Sequence, residues 1–528
     1  MPLEFVKPIT VNSGTFTRAG TARYMDSSGI LQVAGNDVLR VNNRYRGGTP
    51  AFIIDSPLFE SAASTNLLLY SEQFDNAAWV KTFASISANT QTSPDNTVIA
   101  DTLTASAVNG SIQQSISKAA SALLYTFSVY VKSGTSESIV LSMSDGTFSA
   151  EATFNITTGA MSGSSTGTWT NPIPSISRLG NLWYRVSITS TSSAGTSLVP
   201  SVRIPTSSQT LFLWGAQLEQ GRLSSYITTN GTTATRAADV LVGTYASNVP
   251  ENDYAEWNAG TTYSTLGTRV ILLSTHKIYE NVNVTGNTNK SPDTNPTYWL
   301  EVSATNKWKM FDSVISTNTS NSGSVSFVLK PGTVINSLSL LELSATEVTL
   351  KMYTAADGFV YSKTISTLGN IPDPNWYDYF FATAIPKNQA VFNDLPAFGN
   401  AEFHITVVGS TASVGLCVAG YKTLVGYAIE YGTSIGIQDY SRRERNDFGE
   451  IIFVQRAYSK RVNYKMKIPD RSIDSVQRLF ASIRSTPVLW IGSEYYDSTI
   501  VYGFYKDFNM TLSNPIASDC ILEVDGLI

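Results

Sequence analysis

Cysteine and histidine are nearly missing from this chain: two of each occur among 528 residues. Cys417 and Cys520 stand far apart, and neither has a second cysteine or a histidine at metal-ligand spacing. Neither a disulfide framework nor a zinc-type site is expected, and buried free thiols are. His276 and His404 fall in separate segments, on expected strands, and neither G-x-S-x-G nor H-E-x-x-H occurs. Nucleophilic hydrolysis and metal-assisted proteolysis therefore have no local signal. Charge is scarce as well: charged residues make up 15% of the chain, against roughly 25% in an average domain. The net charge of −5 offers no basic field for nucleic acid phosphates. No apolar run reaches the roughly 18 residues of a membrane-spanning helix. The start, MPLEFVKPITVNSGTF, has neither the basic flank nor the apolar core of a secretory signal. The chain is expected to act without metal or cofactor, without nucleic acid and without membrane insertion.

What is present is aromatic and hydroxyl-rich. Aromatics are 11% of residues, too many for a disordered chain, and the length suits roughly three to five domains. Short alternating runs dominate: YTFSVYVKSG at Tyr125 to Gly134 and LWYRVSITS at Leu182 to Ser190 read as half-buried strands. Leu67 to Tyr70 reads as an apolar strand that opens this region, and Leu211 to Trp214, ended by Gly215, as one that closes it. TARYMD and ILQVAG form an expected hairpin turning at Ser27, Ser28 and Gly29. The fold class is mainly β: multidomain antiparallel sandwiches of jelly-roll type, a small aromatic module and a C-terminal α+β unit. The expected segments are 1–60, a docking hairpin; 61–245, a sandwich; 246–305, the aromatic module; 306–431, a second sandwich; and 432–528, an Arg-rich α+β unit. In the last segment SIDSVQRLFASIR places Ile473, Val476, Leu479, Phe480 and Ile483 at helical spacing, with Ser472 and Asp474 suited to its start.

The ordered words NLLLYSEQFDNAAW, YTFSVYVKSG, WYRVSI, LWGAQLEQG, SYI, TR and AADV, between Asn66 and Asp239, resemble the carbohydrate-binding-module-like sandwich of tailed-bacteriophage virion proteins, among them head spikes and tail fibres. Phe16, Arg18, Tyr24, Asp26, Gly29 and Arg40 resemble the segment that precedes it in such proteins. The C-terminal words, from DYS and VQR to EVDGL, resemble a region of phage tail-associated proteins. The resemblance implies a virion component, tail more than head, made in the host cytoplasm and assembled as a homo-oligomer, with a trimer as the expected state. Its implied partners are other tail or baseplate proteins and host surface glycans. A purely structural head spike or tail-tip adaptor, and a glycan depolymerase, are the alternatives.

Two residue sets are candidates for this work. The stretch Asn252 to Glu301 resembles a small chitin-binding module through Trp257, Tyr263, Tyr279, Pro296 and Trp299. Trp257, Tyr263, Tyr279 and Trp299 are therefore the expected sugar-stacking rings, with Asn258, Asn281 and Asp293 nearby, unless so small a unit needs them as core. Trp79, Trp183 and Trp214 read as core of the first sandwich. Arg442, Arg443, Arg445, Arg456 and Arg461 concentrate positive charge before the helix, a composition suited to virion docking. Glycan cleavage would need two acids across a sugar, and Asp357, Asp373, Asp378, Asp439, Asp447 and Glu450 are scattered in expected loops. No catalytic residue is assigned.

Overall fold

The computed structural model describes the chain apart from residues 1, 13, 50, 284, 286, 370–375, 377–385, 446–450, 514 and 528. The protein is mainly β, with several antiparallel sheets and a short C-terminal helix. Its contacts define two compact units, Gly14–Val242 and a second made of Met1–Ser13 with Gly243–Ile528. The expected opening segment 1–60 is thereby divided. Strand Leu3–Val6 pairs with Lys422–Val425 and Val488–Ile491 in the C-terminal sheet, while the part from Gly14 onward belongs with the first sandwich.

In the unit Gly14–Val242 two antiparallel sheets enclose one core. One sheet runs Thr170–Arg178, Tyr184–Thr191, Leu124–Ser133, Thr210–Gln220, Ala100–Ala105 and Ala84–Gln91. Its central strand shows why the sequence folds this way: Tyr125, Phe127, Val129 and Val131 alternate into the core between the sheets. Thr126, Ser128 and Tyr130 point to the other face, which strand alternation alone would leave in water. They are buried nonetheless, as are Gln217 and Glu219 on the neighbouring strand.

Gly215 sets which side chains reach that face. At φ +59° it carries the bulge between Trp214 and Gln217, and a Cβ there would lie 2.9 Å from the Tyr130 ring. The bulge keeps Leu213, Ala216 and Leu218 in the core while Trp214 turns outward. The expected strand Leu67 to Tyr70 does not form: the ladder stops at Asn66, whose side chain donates to Ala216 O and Ile227 O. Asn66 accepts from Leu68 N and Leu218 N, so a side-chain amide takes the place of a ladder.

The outer face is covered by residues before the sandwich. Hairpin Ala22–Met25 with Leu31–Ala34 forms as expected, and its tip bonds back through Gly180 N to Gly29 O and Leu31 N to Pro94 O. An ionic clasp holds this cover. Asp239 accepts from Arg18 at 3.3 Å and from Arg40 at 2.8 Å; Glu60 pairs with Arg40 at 2.8 Å and Arg236 at 3.3 Å. Glu60 also accepts from Ser225 N and Ser225 Oγ, each at 2.7 Å.

The second unit holds three sheets of note. A branched sheet is built on the long strand Glu402–Gly420, which pairs with Thr319–Leu329 along one side and with both Ser337–Ser344 and Glu347–Thr354 along the other. A three-stranded sheet, Arg269–Leu272, Lys277–Asn281 and Trp299–Ala304, forms the small aromatic module. The C-terminal sheet of seven strands packs helix Ile473–Ser482 through Val476, Phe480 and Ile483. Cys417 and Cys520 are buried free thiols, and burial pushes the Cys520 thiol up to about 11.

Removing one partner from a buried ion pair leaves the other charge uncompensated, at a cost of about 3–5 kcal/mol. Asp239→Ala should therefore destabilise the unit Gly14–Val242 by about that amount in urea unfolding followed by tryptophan fluorescence; an unchanged midpoint would contradict the clasp. Burial pushes the Glu60 carboxyl up, but Arg236, Arg40 and the Ser225 bonds outweigh it and hold it below its ordinary value of 4.5. With the folded value depressed, its stabilisation is full at neutral pH and is lost as pH falls below 4.5 through the folded value. Glu60→Gln should lower the melting temperature at pH 7 and flatten its decline on acidification.

Candidate functional site

The four rings expected to stack on sugar are together in the small module, but as its core. Trp299, Tyr279 and Tyr263 are buried with Val270 and Leu272, and Trp257 is half-buried against them. Tyr263 meets Trp299 edge-on at 5.0 Å, and Trp299 Nε1 donates to Lys290 O. Tyr263 also donates its backbone N–H to Asn287 O, and its hydroxyl accepts from Asn258 N. A unit of three short strands has few apolar side chains, and these rings fill it. Trp299, Tyr279 and Tyr263 thus present no free face. Asn281 is buried too, bonding Tyr263 O and Thr265 O, while Asp293 is an exposed turn residue.

The arginines are placed apart. Arg442, Arg443 and Arg445 lie on an exposed hairpin, Arg442–Arg445 with Ile451–Val454, where Arg442 pairs with Glu444. Exposed Ile451 and Phe453 alternate on its second strand. Arg456 is exposed beyond it. Arg461 differs: it is engaged by Asp525 at 2.9 Å and Glu523 at 3.1 Å within the C-terminal sheet, so its charge is already matched.

Neither histidine sits where a general base would be free to work. His276 occupies a turn, not a strand, at φ +57°, with Nδ1 2.9 Å from Glu251 Oε1 and its ring stacked on Trp308 at 4.4 Å. Burial raises the Glu251 carboxyl, yet bonds from His276 and Thr305 outweigh it and leave it lowered. His404 is on its expected strand, buried beside Tyr353. Asp357 and Asp439 each accept local turn bonds, from Thr354 and Ser441. Asp373, Asp378, Asp447 and Glu450 lie outside the described residues. Among the described residues, no group of three His, Cys, Asp or Glu side chains is placed to hold a metal ion, and no helix is long and apolar enough to cross a membrane.

A site that the sequence reading missed lies on the covered face of the first sandwich. Trp79 is core between the sheets, as expected, but Trp183 and Trp214 join Tyr130 and Tyr226 in a second cluster outside it. Tyr130, Trp214 and Tyr226 meet pairwise at 4.8 to 5.6 Å. Arg23 from the hairpin lies over two of these rings, 5.2 Å from Trp214 and 5.5 Å from Tyr226. Beside them opens a cleft of about 230 Å³ whose walls include Arg23, Asn42, Tyr130, Ser177, Arg185 and Tyr226.

Arg185 donates to Ser224 O at 2.7 Å and Ser128 Oγ at 3.1 Å, and its Nε is buried without an acceptor. Arg23 is shared between Asp95 at 2.9 Å and Glu72 at 3.9 Å. Burial raises the Glu72 carboxyl despite Arg23 and the Tyr226 bond, whereas bonds from Ser93, Thr97 and Arg23 overcome burial and lower Asp95. The alternation of YTFSVYVKSG marked a half-buried strand. It carried no sign that distant residues 22–34 cover its outer face.

No family model matches the chain, and no curated protein matches it. Among solved structures, the chain is similar to the enzymatically active domain of bacteriophage CBA120 tailspike protein 4, at 10% identity and a TM-score of 0.21, over 30% of this chain and 21% of that one. It is similar to the tandem CBM22-1–CBM22-2 domain of Paenibacillus barcinonensis Xyn10C, at 10% identity and a TM-score of 0.21, over 68% and 97% of the two chains. It is also similar to TmCBM61 in complex with β-1,4-galactotriose, at 15% identity and a TM-score of 0.19, over 30% and 99%. The chain spans about a fifth of the tailspike domain's length. These are partial likenesses, and no ligand or activity is carried across from them.

Because Trp299 is core, Trp299→Ala should unfold the small module, by about 3–5 kcal/mol, read as loss of amide protection confined to residues 257–304 in hydrogen exchange. Retained protection there would show that the ring is dispensable to the fold.

Proposed function

We propose that the chain is a non-catalytic attachment protein of a phage particle, of the tail tip, baseplate or fibre apparatus, that binds host surface polysaccharide or lipopolysaccharide through the cleft of its first sandwich. The observation that supports this most directly is the cleft's chemistry: Arg23, Asn42 and Arg185 line it together with the half-buried ring of Tyr24 and the exposed side chain of Leu223. Saccharides offer hydroxyl acceptors at their rim and C–H faces to rings, so this combination suits them.

Glu60, the carboxylate on the cleft wall, is held ionised by Arg40 and Arg236, which suits a structural anchor and not a proton donor. The exposed hairpin carrying Arg442, Arg443 and Arg445 beside Phe453 is the surface offered to other virion proteins, since it joins arginine to unpartnered apolar side chains. A homo-oligomer on the particle would turn weak single contacts into useful avidity.

Ser177 is exposed at the cleft, so Ser177→Trp obstructs it without removing a clasp residue. On an array of bacterial capsule polysaccharides and lipopolysaccharides, the multivalent full chain should bind and Ser177→Trp should bind at least tenfold less, with unchanged melting. Absence of wild-type binding, or release of reducing ends from the bound polysaccharide, would refute the proposal.

A further inference from the structure

Three tyrosines in the C-terminal part of the chain stand largely in solvent: Tyr431 at 102% relative exposure, Tyr495 at 85% and Tyr496 at 65%. A scattered exposed ring needs no explanation, but all three line one concavity of about 540 Å³. That volume lies within the range of small-ligand pockets.

Both turns that carry the rings are held from beneath. In the first, Thr433 N and Oγ1 both donate to Glu430 O, and the turn bonds strand Tyr458–Pro469 through Glu430 N to Lys465 O and Lys465 N to Thr433 Oγ1. In the second, Ser493 N donates to Thr499 Oγ1 at 2.9 Å, Tyr495 N to Ser493 Oγ, and Thr499 Oγ1 to Tyr496 O at 2.8 Å. The buried Tyr464 hydroxyl donates to Thr499 O at 2.8 Å and fixes the base of that turn. Gly492 permits this packing, since a Cβ there would lie 2.8 Å from the Tyr464 ring. Folding has thus ordered the backbone under rings that contribute nothing to the core. A ligand meeting them would find the main chain already ordered.

The lining narrows the ligand. Among the described residues, no lysine or arginine lines the concavity and Glu430 is its one charged residue, so a phosphate or carboxylate would find no cation among them. Tyrosine faces accept C–H surfaces while their hydroxyls, with those of Thr433 and Ser493, can exchange hydrogen bonds at the rim. We propose that Tyr431, Tyr495 and Tyr496 form a binding site for a neutral oligosaccharide, carried by the C-terminal part of the chain and independent of the sandwich cleft.

The test uses the full chain with chitotetraose, cellotetraose and β-1,4-galactotriose, followed by saturation-transfer NMR and calorimetric titration. At least one of these sugars should bind, with C–H protons receiving saturation. Tyr431→Ala and Tyr495→Ala should each weaken binding tenfold or more, while Tyr495→Phe, which keeps the ring, stays within threefold of wild type. Ser177→Trp should leave this binding unchanged, which separates its fate from that of the cleft. No binding of the three sugars at millimolar concentration would overturn the proposal. So would equal binding by the alanine variants, displacement of the sugar by choline chloride as in a cation cage, or a tyrosine-dependent self-association in sedimentation that excludes the sugar.

Discussion

The buried clasp of Arg18, Arg40 and Arg236 with Glu60 and Asp239 is the constraint on which the rest of the first unit depends. Three guanidiniums and two carboxylates taken out of water are a poor source of net stability, because desolvation offsets much of their attraction. Their effect is one of specificity. Glu60 and Asp239 come from opposite ends of the sandwich and Arg18 and Arg40 from the segment before it, so the charges are matched in only one arrangement of the chain. In that arrangement the outer face of the six-stranded sheet is roofed, and its polar side chains become an interior. Glu219, fully buried, shows the result: it accepts from Gln217, Ser64 and Ser224 instead of water.

This explains which parts of the sequence could be read. Local pattern identified the strand through Tyr125 to Val131, the hairpin at Ser27 to Gly29 and the helix after Ser472, since each depends on neighbours within a few residues. Leu67 to Tyr70 was apolar enough to suggest a strand, but the Asn66 side chain takes the hydrogen bonds a ladder would have made. The division of the first 60 residues was also hidden. Leu3–Val6 finds its partners some 420 and 485 positions away, and no local pattern encodes such a pairing. The motif residues Arg18, Arg40, Arg236 and Asp239 were visible as words; only the structure shows that their shared role is to neutralise one another.

The aromatic residues teach the same lesson with the opposite sign. In the small module, rings at suggestive spacing are consumed by the core, because a three-stranded sheet has little else with which to exclude water. Around Tyr431, Tyr495 and Tyr496 the supply is not limiting: Phe480, Trp490 and Tyr464 already fill the C-terminal core, and the extra rings can remain outside. A ring's availability thus follows from how much apolar volume its own domain has to fill. The spacing of aromatics in sequence does not report that volume, which is why Trp299 was the more conspicuous candidate and Tyr495 the more exposed.

Scarce charge gives these surfaces a common physical character. A chain with a net charge of −5 over 528 residues exerts little long-range pull on a ligand. Recognition at the cleft or at the tyrosines would then rest on short-range ring contact and hydroxyl bonding, which salt screens weakly compared with ion pairing. Such contacts are individually modest, and their strength depends on groups that are already ordered when the ligand arrives. The two stiff turns under the tyrosines and the clasp under the cleft meet that requirement by different means, one through main-chain and hydroxyl bonds and the other through buried charge. In both, the bonds that fix the frame are beneath the surface, and the surface itself is left with rings and polar side chains.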